Sequence, residues 1–451
     1  GRNFREPALR VTHADGDMNT ELRYVSHTTR TLADTNVTRT VIKLTDTNQA
    51  LDVELFYTAY AKENVITTHA VIRNREKGSI VLHSFYSSSL PVKARSYLLT
   101  HLYGAWARES QVDHTLLTHG SKSIESRKQV RTTHTENPAF MITLDSESFD
   151  ENYGEVIAGA LAWSGNFRLN FEVDEFNVLN ILAGANPYAS DYTLGAGESF
   201  TTPEMIYTYS SEGAGGASRH LHDWARNYGV WHGHTYAPTL LNNWEGAYFT
   251  FDAKTLTEMI DDAADMGLEM FVLDDGWFGA RDNDAKGLGD YTVNRKKLPG
   301  GLAGLAEKVH ALGLLFGLWF EPEMVNADSG LFRAHPDWIV QTPGNVPATG
   351  RNQYVLDLCR AEVQDYIIAN VNATLASAPI DYVKWDMNRH ISDNYSPALA
   401  EQGRFSHSYI LGLYRVLQSI VEQNPDVLFE GCSSGGNRFD LGILSYFPQI
   451  W

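Results

Sequence analysis

Cysteine is nearly absent: Cys359 and Cys432 are the only two in 451 residues, too few for a disulfide framework, and both read as reduced thiols. Long apolar runs are missing as well. No stretch approaches the roughly 18 apolar residues that a membrane-spanning helix needs, and no charged-then-apolar leader opens the chain. The chain begins at GRNFREPALR without methionine, which leaves room for a preceding segment, a signal peptide included; the cytoplasm is the favoured compartment. Positive charge is scarce, with 36 Lys and Arg against 55 Asp and Glu and a formal net charge of −19. A field of that sign repels nucleic acid and anionic membranes, so a small neutral partner fits better. No HExxH motif or histidine cluster is present, the 16 His being scattered, and neither a metal nor a cofactor is called for.

What is there reads as a folded, multidomain protein. Hydrophobic residues make up 43% and charged residues 20% of the chain, ordinary globular usage, and the length exceeds what one core usually supports. Up to residue 210, segments such as TRTVIKLTD, LDVELFYTAY, NVITTHAVI, GSIVLHSFY, MITLD and EVIAGALAW alternate with polar turns, the pattern of an antiparallel β-sandwich. SSEGAGGAS breaks it and leads into RHLHDWARNYGVW, so residues 211–238 are expected to form a linker helix between domains 1–210 and 239–451. In the second domain LTEMIDDAADMGLEM places Leu256, Met259, Ile260 and Ala263 at helical spacing, stops at Gly267 and runs into the apolar MFVLDDG. The unit recurs in LAEKVHALG before LLFGLWFEPE, EVQDYIIANVNATLASAP before IDYVKWDMN, and YILGLYRVLQSIVEQNP before DVLFEGCSS.

With LLNNWEG, these segments make five parallel strands joined by helices. A doubly wound sheet calls for a Gly-rich phosphate turn after its first strand, and none is found. A (β/α)8 TIM barrel instead calls for polar residues at successive strand ends, and they are present: Trp244 and Glu245; Asp274 and Asp275; Trp319, Glu321 and Glu323; Lys384, Asp386 and Asn388; Glu430 and Cys432. About the first five strands of such a barrel lie within the chain, with PQIW at the start of a sixth.

In VKWDMN, Lys384, Asp386 and Asn388 share one strand face and Trp385 and Met387 take the other. A carboxylate flanked by a cation and an amide stays ionised, as a nucleophile must, although a structural ion pair has the same signature. Asp274 and Asp275 can reach one ligand only where the strand has ended, which Gly276 permits. They read as a metal site, a catalytic pair or a clamp for hydroxyls, and hydroxyl binding is favoured. Trp244, Trp277 and Trp319 lie at neighbouring strand ends, where aromatic faces either stack on a pyranose ring or fill the core. Arg351 is a surface residue or a hydroxyl ligand. Cys432 reads as a packed small side chain, and the SSGGN after it lacks the spacing and lysine of a phosphate loop.

The ordered motifs NNWEG, FVLDDGWFGARDND, LGDYTVNRKKLPGGL, LLFGLWFEPEMV, YVLDL, DYVKWDMNR and EGCSSGGNRFDLGIL resemble the α-galactosidases of glycoside hydrolase family 36, and NFREPAL and HLYGAWARES resemble that family's N-terminal β-sandwich. The resemblance implies a retaining enzyme acting on terminal α-galactosyl groups, as in melibiose and raffinose, with Asp386 as nucleophile. It implies that Asp274 and Asp275 bind the hydroxyls around O4 and O6, and that Trp244, Trp319, Arg351, Lys384, Asn388, Cys432 and Ser434 line the pocket. Trp106 resembles a first-domain residue that reaches that pocket. Asn3 stands where the family often has Asp, and Tyr291 where it often has Trp. The family's acid/base is an Asp just beyond the position of Trp451, so the 451-residue chain alone is expected to be a poor catalyst. Family members are often tetramers. An α-N-acetylgalactosaminidase or a raffinose-type galactosyltransferase would keep the same fold, and a galactoside-binding protein without catalysis is the reading from another class.

Overall fold

A computed structural model describes residues 5–451, and Asn3 lies outside the described residues. The chain divides into two compact units, Gly1–Gly233 with Phe439–Ile443, and His234–Arg438 with Leu444–Trp451.

The first unit is β-rich, and its strand pairs are antiparallel. Its largest sheet runs from the edge strand Leu22–Thr31 through Val37–Asp46, Leu51–Tyr60 and Val65–Asn74, then by Glu204–Ser210, Glu155–Ala162, Glu136–Leu144 and Tyr97–Ala105 to the opposite edge, Arg108–Leu116. A four-stranded sheet contains Phe167–Val173 and Val178–Ala185. Phe140 of the large sheet meets Phe171 of the smaller one edge to face, ring centroids 5.0 Å apart, because alternation sends every second side chain inward. The helix Gly213–Trp224 belongs to this unit, with Ala217 and Leu221 packed against Val156 and Ala158.

In the second unit six strands pair in chain order, all parallel: Leu240–Asn242, Met270–Leu273, Leu315–Phe320, Tyr382–Trp385, Leu428–Gly431 and Gln449–Ile450. The count is six rather than five because Gln449–Ile450 already pairs with Glu430–Gly431. Between them lie the helices Ala253–Asp265, Gly301–Ala311, Ala361–Leu375 and Phe405–Gln423. The first of these begins at Asp252, whose carboxylate accepts from Thr255 N at 2.9 Å, and is followed by Gly267 at φ 76°. A left-handed residue at that place closes a helix and turns the chain toward the next strand. Strand interiors such as Phe271, Val272, Leu318 and Val383 are buried, so the polar residues gather where the strands end. Among the described residues no helix is long and apolar enough to cross a membrane.

Candidate active site

At the end of Tyr382–Trp385 the chain leaves the strand at Asp386, and side chains from neighbouring strand ends converge on its carboxylate. Oδ2 accepts from the Asn388 carboxamide at 2.6 Å and the Trp319 indole at 3.3 Å. Oδ1 accepts from Met387 N at 2.9 Å and faces Ser434 N at 3.5 Å. Asn388 is fixed in turn, its Oδ1 accepting from the Ser434 hydroxyl at 2.5 Å. Ser434 adopts φ 54°, a conformation that a non-glycine residue holds only where its surroundings enforce it.

Burial acts most strongly on Asp386 and by itself raises its pKa. The Lys384 ammonium, hydrogen bonds from Asn388 and the Cys432 thiol, and the Arg351 charge outweigh it and hold the carboxyl below its ordinary value. Cys432 moves the opposite way: burial and then the Asp386 charge push its pKa well up, so it remains a neutral thiol. Burial is the largest influence on Lys384 and lowers its pKa, but Asp274, Cys432 and Asp386 together outweigh it, Asp274 first among them, and the lysine stays protonated.

Lys384 Nζ donates to Asp274 Oδ2 at 2.8 Å, and Asn242 donates to the same oxygen at 2.7 Å. The strand Met270–Leu273 has ended before Asp274 and Asp275, and Gly276 turns at φ 104°. Asp275 is chelated by Arg281, whose Nη2 and Nε donate at 2.7 and 2.9 Å. Burial raises the Asp275 pKa, with the Arg281 charge acting against it. Arg281 gave no sign of this role in FGARDND, because its partner is chosen by the turn at Gly276.

The tryptophans part company. Trp319 turns its indole N–H to Asp386, and half-buried Trp244 meets Tyr248 and Phe249 edge to face at 5.2 and 5.1 Å. Trp277 is no platform: it is fully buried, donates to Trp319 O at 2.9 Å and packs on Phe278 and Phe320. Tyr291 lies in the same cluster, 4.8 Å from the Phe278 ring, and its hydroxyl accepts from Glu321 N at 3.1 Å. Arg351 is exposed and left-handed at φ 50°, next to Asn352 at φ 60°; its charge acts on Glu321 more strongly than that of Arg281 and opposes the effect of burial there. Trp106 belongs to the first unit, 67% exposed in the turn between Tyr97–Ala105 and Arg108–Leu116.

The remaining strand-end acids are hydrogen-bonded as well, Glu321 beside Asp386 and the other two away from it. Glu321 accepts from Asn388 N and Gln353 Nε2, each at 2.8 Å, and burial followed by the Asp386 charge raises its pKa. Glu323 accepts from Trp385 Nε1 at 2.8 Å and Arg438 Nη2 at 2.9 Å. Glu430 accepts from the Tyr382 hydroxyl at 2.5 Å and Gln449 at 3.0 Å. Among the described residues no group of three or more His, Cys, Asp or Glu is arranged to hold a metal ion. The arrangement offers one charged, oriented carboxylate surrounded by hydrogen-bonding groups.

Residues 1–195 match the glycosyl hydrolase family 36 N-terminal domain, and residues 199–451 match Melibiase. The chain is 43% identical to the α-galactosidase AgaA of Geobacillus stearothermophilus, with 100% of this chain and 64% of that protein covered. It is 38% identical to an α-galactosidase of Lactobacillus acidophilus, with 100% and 63% covered. A crystal structure of a substituted Geobacillus stearothermophilus AgaA in complex with stachyose is similar at a TM-score of 0.96 and 41% identity, with 100% of this chain and 64% of that one covered. The chain therefore spans less than two thirds of the length of each of these relatives.

Proposed function

This chain belongs to glycosyl hydrolase family 36, and from that premise we propose that the protein is a retaining α-galactosidase in which Asp386 attacks the anomeric carbon of a terminal α-galactosyl group. The observation that carries the reading is the state of Asp386: buried, aimed by Asn388 and Trp319, and held ionised beside Lys384. A covalent galactosyl-aspartate needs that charge and that orientation before substrate arrives. Asp274 and Asp275 take the hydroxyls around the axial O4 and O6, while Trp244, Trp319, Arg351, Lys384, Asn388, Cys432 and Ser434 complete the pocket. Buried acceptors left unpaired by an equatorial O4 would select galactose over glucose.

A retaining enzyme also needs an acid/base carboxyl about 5 to 5.5 Å from the nucleophile. The engagement of Glu323 and Glu430 with structural partners, together with the family resemblance, supports an aspartate beyond Trp451 in that role. In the same reading the six parallel strands are part of a (β/α)8 barrel following an N-terminal β-sandwich over residues 1–210 and a linker over 211–238, and the protein is a cytoplasmic homo-oligomer, a tetramer by family resemblance.

The test is release of nitrophenol from 4-nitrophenyl α-galactoside by the complete gene product beside its Asp386→Ala variant. Turnover abolished by the substitution is the expected result. A folded parent protein that releases nothing sinks the α-galactosidase assignment, and an active Asp386→Ala variant sinks the nucleophile.

A further inference from the structure

The segment LGDYTVNRKKLPGGL reaches the site as described through Tyr291, and it also carries an unusual cation. Lys297 Nζ donates to three main-chain carbonyls: Gly276 O at 2.9 Å, Phe249 O at 3.0 Å and Arg281 O at 3.3 Å. The carboxylate paired with it, Asp282, lies at 3.6 Å and is largely exposed, while the lysine side chain is 12% exposed. A face of the ammonium also lies 4.6 Å from the centre of the Phe251 ring. A primary ammonium has three protons, and here each has a carbonyl oxygen. The lysine thus occupies the kind of oxygen-lined position that a bound monovalent cation would take.

The three carbonyls come from stretches that carry site residues. Gly276 directly follows Asp275. Arg281 chelates Asp275 through its side chain. Phe249 packs edge to face on the Trp244 indole, 5.1 Å between centroids. The approach is close enough that a Cβ at Gly276 would meet Phe249 and Phe251 at 3.2 Å and Lys297 Nζ at 3.4 Å. Lys297 is itself aimed by Asn294, whose carboxamide oxygen accepts from Lys296 N at 3.0 Å and Lys297 N at 3.3 Å.

We propose that Lys297 is a positioning residue for sugar recognition, its ammonium tying the stretch behind Trp244 to the turn that presents Asp274 and Asp275. It touches no substrate and acts through those residues. The proposal rests on the reading of Asp275 as a hydroxyl ligand.

In the complete gene product, Lys297→Met and Lys297→Ala are expected to raise KM for 4-nitrophenyl α-galactoside about tenfold or more, with kcat changed less, since small displacements of binding groups are costly. The alanine variant lacks the equivalent of n-propylammonium. Adding n-propylammonium chloride is expected to lower its KM again, while tetramethylammonium chloride at the same ionic strength, having no N–H to donate, is not. A purely fold-stabilising lysine would show a lowered unfolding midpoint without this donor-specific recovery of KM. An unchanged KM in both variants, no recovery with propylammonium below the unfolding midpoint, or failure of both variants to fold even with propylammonium present overturns the proposal. Asp275→Asn separates the two layers: if it raises KM and the Lys297 variants do not, Lys297 alone is wrong; if it leaves KM unchanged, the reading of Asp275 falls and this proposal with it.

Discussion

The Lys384 ammonium donates to Asp274 at 2.8 Å, with both side chains 5% exposed or less, and the same ammonium is the strongest of the influences that hold Asp386 charged against burial. One lysine therefore serves two carboxylates on adjacent parts of the site. Lys384→Met is expected to lower kcat/KM about 10²- to 10³-fold, because a buried charge is lost beside both the nucleophile and Asp274. The pH profile supplies the sharper readout. Without the positive charge the pKa of Asp386 rises, the active carboxylate is lost at a higher pH, and the acid limb of kcat/KM moves upward. An acid limb that stays in place, or moves down, contradicts this assignment.

A second buried pair is structural. Arg438 donates to both oxygens of Glu323 at 2.9 and 3.2 Å, and both side chains are nearly inaccessible. Arg438→Met leaves an unpaired buried carboxylate and is expected to cost about 3–5 kcal/mol. Adding Glu323→Gln removes that charge and keeps an acceptor for the Trp385 indole. The double variant is expected to unfold at a higher temperature than Arg438→Met alone, and differential scanning calorimetry reads the order directly.

Gly412 lies in the helix Phe405–Gln423, where it passes the chain at Leu358. A Cβ there would overlap the carbonyl oxygen of Leu358 and come within 2.9 Å of Gln364 Nε2, which itself donates to that carbonyl at 2.7 Å. Backbone cannot rotate away as a side chain can, so Gly412→Ala is expected to destabilise by about 1–3 kcal/mol, despite alanine's better helix propensity. A thermal midpoint equal to or above the parent's would contradict it.

His407, on the same helix, is almost wholly buried, and burial lowers its pKa from 6.5 to about 4. The unfolded chain therefore binds the proton more readily than the folded one. Its contribution is fully present above pH 6.5 and is lost as pH falls toward about 4, by about 3 kcal/mol over that window. Unfolding midpoints measured from pH 7 to pH 4.5 are expected to fall less steeply for His407→Gln than for the parent. Equal slopes would mean that His407 is not a source of the acid sensitivity.

Much of the second unit was legible because its strands are short, mainly apolar and run into polar residues at their ends. FVLDD, LWFEPE and VKWDMN each marked the end of a strand, and helical spacing in LTEMIDDAADMGLEM located a helix found at Ala253–Asp265. The first unit was harder. Leu22–Thr31 and Arg108–Leu116 are edge strands whose sequences LRYVSHTTRT and RESQVDHTL are mostly polar, and most of their few apolar residues, Val25 and Val112 among them, are exposed, so no apolar alternation betrayed them. The sequence leaves Trp277 open between platform and core for a related reason: a tryptophan beside two aspartates has one signature whether it faces a pocket or the core, and here it is fully buried.

The repeating strand–helix rhythm and the order of the polar strand ends follow from the sequence alone, since both rest on backbone periodicity within a few residues; the strand face expected for Lys384, Asp386 and Asn388 does not, because the strand ends at Trp385. Only the tertiary structure decided which of those groups meet. Arg281 reaches Asp275 through a turn at Gly276, Lys297 gathers three carbonyls from two separate stretches, and Glu321 accepts from Asn388 across 67 residues. Such partners depend on how neighbouring strands register and where the connecting loops fold back. The energy that selects them, burial of charge repaid by pairing, exists only once the chain has closed around them.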